Sequence, residues 1–175
     1  MISETRKRDD KISFNVLQEY ARSGVFQKIF LIDQSSLDNL VGEVPISQYE
    51  KSISYFVAYT LAMINYFNHT EPILANKLLP SGISRIVTLG TSSIEDGNKD
   101  TDLLFPLLGT TDIHFFYGIP KADLAEDASL VKRIKKHVRE YKKEELSSTF
   151  SVYETSLESR IVLCMAYSSK IQELP

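Results

Sequence analysis

The chain has 175 residues, enough for one sizeable core or two very small ones, and its 43% apolar and 25% charged residues are those of a globular protein. A net charge of −3 gives no electrostatic reason to expect nucleic acid or an anionic membrane as a direct partner. A single cysteine excludes a disulfide-stapled scaffold and suits a reducing, cytoplasmic setting, and no stretch has the composition of a signal peptide or a membrane span.

In chain order, residues 12–23 place Ile12, Val16, Leu17 and Tyr20 on one face of a helix that stops at Gly24. The compact apolar run at 28–32, closing on Asp33, has the length of a buried strand. Residues 46–67 make the clearest helix. Ile46, Tyr49, Ile53, Phe56, Val57, Leu61, Ile64 and Phe67 recur at spacings of three and four, and Tyr55, Tyr59 and Met63 make the opposite side apolar as well. Such a helix is expected to be buried all round, a central strut roughly 33 Å long.

The stretch NHTEPILANKLLPSG (68–82) follows. Pro72 suits the first turn of a short helix running to about Leu79, with Thr70 as its N-cap and Glu71 favoured by the helix dipole. ISRIVTLG (83–90) has the pattern of a strand, 91–102 that of a polar loop, and the aromatic run 112–119 that of a second strand. Residues 127–142 form an amphipathic helix with Leu130, Val131, Ile134, Val138 and Tyr141 inward and an acidic approach (Asp123, Glu126, Asp127). TFSVYE and RIVLCMAYS flank TSLES as an antiparallel hairpin, and the second arm, apolar on both faces, belongs in the middle of a sheet. The sum is an α/β chain: a long buried central helix followed by a small mixed β-sheet with helices. It divides into 1–45 (helix and strand), 46–67 (central helix) and 68–175 (sheet and helices).

Residues with chemistry are sparse. His69, His114 and His137 have no partner at a metal-ligand spacing. Cys164 could meet His114 across a sheet, but a cysteine inside an apolar strand behaves as an inert small hydrophobe. The seven glycines are scattered, so no glycine-rich turn presents N–H groups to phosphate; GTSS (90–93) comes nearest and has the composition of an ordinary turn. Lys132, Arg133, Lys135, Lys136, Arg139, Lys142 and Lys143 form the one basic concentration. It is either the solvated face of a helix or a contact for an acidic partner tail or a neighbouring protofilament.

The order of elements resembles the second half of the tubulin/FtsZ superfamily, its central helix plus activation domain, in the FtsZ or the plasmid and phage branches. Asn68 and Gly82 keep the separation of that family's acid-rich loop. LGTSSIEDGN (89–98), IHFFYGIPKADL (113–124), LVKRIKKHVREY (130–141) and RIVLCMAYSSKIQEL (160–174) resemble its later strands and helix. The resemblance implies a GTP-dependent cytoskeletal filament, built by head-to-tail self-association or with a related filament protein. It also implies that the acid loop of one subunit reaches the nucleotide of the next and polarises the attacking water.

Position by position, the two loop acids fall on Thr70 and Ile73, which leaves the neighbouring Glu71 as the candidate catalytic acid. Asn68, His69, Thr70 and Glu71, with Glu95 and Asp96 of the polar loop, are the implied subunit contacts. Gln34 stands where the family has a base-reading asparagine, and Ser52 or Ser54 where its central helix touches the base; Tyr49 or Tyr55 could stack on that base. With the phosphate-binding half absent from this sequence, the chain alone is expected not to hydrolyse GTP. The alternative is a non-enzymatic α/β adaptor that keeps the fold and binds a filament or another protein.

Overall fold

The computed structural model describes residues 4–76, 84–94, 101–141 and 146–174. Along the chain run α1 (Glu4–Ser23), β1 (Ile29–Phe30), α2 (Gln34–Val41), α3 (Ile46–Asn68), β2 (Leu74–Ala75), β3 (Ile86–Ser92) and β4 (Asp102–Leu103). Then come β5 (Thr110–Pro120), α4 (Lys121–Glu126), α5 (Leu130–Tyr141), β6 (Ser147–Thr155) and β7 (Ile161–Ser168). The strands form one mixed sheet in the order β1-β3-β7-β5-β6-β2, with β4 also beside β3. This is the α/β architecture expected.

β7 lies between β3 and β5, as its two-faced apolar pattern requires. Its Val162, Cys164 and Ala166 join the core on one side of the sheet, and Leu163, Met165 and Tyr167 the core on the other. Leu130, Ile134 and Val138 of α5 and Phe14 of α1 cover the first side. Leu37 of α2 with Ile64 and Phe67 of α3 cover the second. The result is three layers.

The expected hairpin between β6 and β7 does not form. β5 stands between them, parallel to β6 from Asp112↔Ser147 to Pro120↔Thr155 and antiparallel to β7. β5 is buried along most of its length and needs ladder partners on both edges. The crossover through α5 supplies one of them as a parallel strand.

α3 is a helix where the spacing demands one, but it is buried along one side rather than all round. Thr60, Ile64 and Phe67 are buried, whereas Ile46 is 96% and Tyr55 69% exposed. Only its C-terminal end rests on the sheet. There the Phe67 ring stacks on Tyr153 at 4.5 Å and lies over Gly118, where a Cβ would come within 2.9 Å of the ring. The N-terminal half meets α2 instead, and Ile53, Phe56 and Leu40 pack against the cluster to which Leu37 belongs.

α1 is also turned from the expected orientation. Ile12, Val16, Leu17 and Tyr20 are each 43–51% exposed, and Phe14, Gln18 and Ala21 face inward. Phe14 meets Phe105 at 6.3 Å, and Gln18 makes a reciprocal hydrogen-bonded pair with Gln172. Those two contacts set the rotation of the helix. On α5, Leu130, Ile134 and Val138 point inward as expected, Tyr141 is half-buried, and Val131 is exposed, its place taken by His137. The acidic approach is a separate short helix. Asp127 then accepts from the backbone N and hydroxyl of Ser129 and pairs with Arg133 and Arg160. Those bonds, that of the Ser129 hydroxyl foremost, hold its carboxyl down at about 2.

Candidate functional site

Two groups of implied site residues lie toward opposite ends of α3, with Tyr49 and Asn68 about 28 Å apart at the rise of an α-helix. At the N-terminal end, Asp33 caps α2 by accepting from Ser36 N (2.9 Å), which puts Gln34 on the first turn. Gln34 Nε2 donates to Tyr49 Oη (3.1 Å), and the Tyr49 hydroxyl donates to Asp38. The Asp38 bond raises the phenol above its usual range. Gln34 and Asp38 are exposed and Tyr49 is half-buried, so the amide and the carboxylate both remain open to solvent.

Asp38 was not among the expected residues, although its place four residues after Gln34 puts both on one helical face. Ser52, three residues beyond Tyr49, shares that side of α3 and is half-buried; Ser54 is exposed and turned about 140° from Tyr49. Tyr55 is exposed and stacks on Tyr59 (5.9 Å).

At the C-terminal end, Asn68 closes the helix and is exposed. His69 Nδ1 lies 2.8 Å from the Asn65 carbonyl, and the Thr70 hydroxyl donates to the Tyr66 carbonyl (2.8 Å). Thr70 therefore ends α3 and does not cap a following helix. No helix begins at Pro72 either. Ile73 N donates to Val152 O (2.8 Å), Asn76 N to Phe150 O (3.2 Å), and Phe150 N to Asn76 Oδ1 (2.6 Å). The open edge of β6 offers ladder groups that a helix at 73–76 would leave unpaired, and this segment fills them as β2. Glu71 is exposed in the turn between helix and strap. Glu95, Asp96 and Gly82 lie outside the described residues.

GTSS is not a turn. Gly90, Thr91 and Ser92 belong to β3, and a Cβ on Gly90 would meet Asp102 O at 2.7 Å, so this glycine serves a close strand contact. The described residues gather an amide, a carboxylate and a phenol at one end of α3 but present no glycine-rich turn for phosphates. They do not fit a whole nucleoside triphosphate.

Ser92 leads into an internal polar chain that the sequence did not reveal. Its hydroxyl lies 3.0 Å from His137 Nε2, His137 Nδ1 lies 2.6 Å from Tyr117 Oη, and the Thr101 hydroxyl bridges Ser92 (3.0 Å) and Tyr141 (2.7 Å). Tyr117 is fully buried, so its O–H must be used, which makes Nδ1 the acceptor and leaves the ring proton on Nε2. Burial lowers the pKa of His137. His114 sits on the other side of the sheet, between Thr149 Oγ1 (2.7 Å) and Ser151 Oγ (3.2 Å), against the Phe116 ring. Burial brings it down to about 4. Cys164 opposes Phe115 in the ladder and joins the core with it, so it does not meet His114; burial pushes its thiol up. Among the described residues no cluster of three His, Cys, Asp or Glu side chains is placed to hold a metal, and no helix is long and apolar enough to cross a membrane.

No family model matches the sequence, and no curated protein does. Solved structures do. An FtsZ dimer from M. jannaschii is similar at TM-score 0.62 and 14% identity, over 95% of this chain and 51% of that one. The TubZ-Bt two-stranded filament, a helical model, is similar at 0.52 and 14%, over 93% and 46%. GDP-form protofilaments of Bacillus thuringiensis serovar israelensis TubZ are similar at 0.52 and 14%, over 95% and 52%. The chain has a tubulin/FtsZ-like fold and spans about half the length of the structures it resembles.

Proposed function

We propose that this chain is the second half of a GTP-dependent, filament-forming protein of the tubulin/FtsZ type, and that it works with a phosphate-binding half its own residues do not supply. The observation that carries the reading is the separation of the two candidate groups along α3. Gln34, Tyr49 and Asp38 at one end and Glu71 at the other are too far apart to act on one nucleotide. In a head-to-tail row, the Glu71 end of one subunit would face the Gln34 end of the next, and each junction would gather what one chain cannot. Asn68, His69 and Thr70 would then lie at the junction.

The uncovered apolar surface supports the missing half. Ile12, Leu17 and Tyr20 on α1, Phe30 on the edge strand β1, and Tyr55 and Tyr66 on α3 are all exposed. A further domain packed on α1 and the β1 edge would bury the first four.

Titration calorimetry of the purified chain with GTP, beside sedimentation at high protein concentration, tests the reading. The expected result is weak or no GTP binding and no pelleting alone, with both restored when a glycine-rich nucleotide-binding half is added. A folded chain that restores neither would be an adaptor. In that case its exposed apolar residues serve a partner unrelated to nucleotide.

A further inference from the structure

We propose that the outward face of α5 is a docking surface for an acidic segment of a partner protein. Ala128, Val131, Lys132, Lys135, Lys136 and Arg139 recur at three- and four-residue spacings, are all exposed, and with Glu140 as the one acid among them line an open trough of about 680 Å³. On this outward face, between Lys132 and Arg139, four exposed cations fall within about 10 Å of helix, successive ones a turn or less apart. Arg133, on the flank, is engaged with Asp127, but these four form no ion pair among the described residues. In a chain of net charge −3 the stripe is a local reversal of sign, so attraction to a partner here owes nothing to the rest of the surface.

Charge and shape together select the occupant. An acidic helix with carboxylates at i, i+4 and i+7, or an extended acidic tail, matches the spacing of the cations and lays its side chains along the trough. A membrane surface would need a broad apolar face, and Ala128 and Val131 alone supply very little. A nucleic acid duplex would gain three or so phosphate contacts against the repulsion of an acidic chain. The face looks away from the sheet, on the side opposite α3, so docking here leaves both ends of α3 free. The inference stands independently of nucleotide or filament.

Fluorescence anisotropy of a labelled poly-glutamate peptide, titrated with the full chain at low salt, tests it beside labelled duplex DNA and phosphatidylserine vesicles. The peptide should bind better than either, and lose roughly tenfold in affinity to the variant carrying Lys132→Gln, Lys135→Gln and Lys136→Gln. Arginine at the same three positions should keep the affinity, and rising salt should abolish it. All three residues are exposed, so the variants should fold, which circular dichroism checks. Absence of peptide binding, unchanged binding by the glutamine variant, or tighter binding of DNA or vesicles would each overturn the proposal.

Discussion

Gln18 and Gln172, 154 positions apart, close a buried reciprocal pair. Gln18 Nε2 donates to the Gln172 carbonyl (3.1 Å), and Gln172 N donates to Gln18 Oε1 (2.7 Å). The Gln172 side chain in turn accepts from Leu108 N (2.7 Å) and donates to Lys170 O (2.7 Å). One amide of α1 thereby ties the first helix to the segment after β7. Gln18→Ala leaves the Gln172 N–H and carbonyl without partners in a dry site, and should cost about 2 kcal/mol. Urea unfolding at neutral pH gives the value. A cost below about 0.5 kcal/mol would mean that water replaces the amide.

His114 makes stability depend on pH in a defined window. Its folded pKa, about 4, lies below the unfolded value of 6.5, so the unfolded chain binds the proton first as pH falls. Its contribution is full above about 6.5 and is lost on the way down to about 4, on the order of 3 kcal/mol in all. His137, lowered by burial as well, acts in the same direction. Asp127, whose carboxyl is at about 2, loses its contribution only below its ordinary 3.8 and stays outside this window. Urea midpoints at pH 7, 5.5 and 4.5 should decline steadily, and His114→Gln should flatten the decline.

Gly118 admits Phe67. A methyl group there would sit 2.7 Å from Ile161 Cγ1 and 2.9 Å from the Phe67 ring, both packed side chains. Gly118→Ala should therefore destabilise by about 1–3 kcal/mol. Combining it with Phe67→Leu should recover part of the loss, because the smaller side chain yields the space. Strict additivity of the two changes would contradict the contact.

The strap at 73–76 is held to β6 by few bonds, one of them through a side chain. Asn76→Ala removes the acceptor of Phe150 N. Amide exchange at Phe150 should speed up severalfold while the β5–β7 ladder keeps its protection, because the strap opens as a local unit. Equal acceleration in the central ladder would instead mean that the strap supports the whole sheet.

Local pattern carried much of this structure. The three-and-four spacing of 46–67 could only be helix, and the runs that became β3, β5 and β7 could only be strands, because those signals lie in neighbouring residues. The apolar residues on both faces of β7 even placed it at the sheet centre. The amphipathic stripe that became α5 carried its basic outer face with it.

Partner choice was decided elsewhere. Whether β6 pairs with β7 or β5 depends on which strand needs two neighbours, and whether 73–76 coils or extends depends on an edge supplied by β6 some 75 positions later. The rotation of α1 was settled by Gln172 and Phe105, against its own apolar stripe. The candidate site divides in the same way: Gln34 and Glu71 could be named from their places in the chain. Only the tertiary structure put Asp38 beside Tyr49 and strung Ser92, His137 and Tyr117 into one buried chain, because hydrogen bonds and packing join residues that no local window contains.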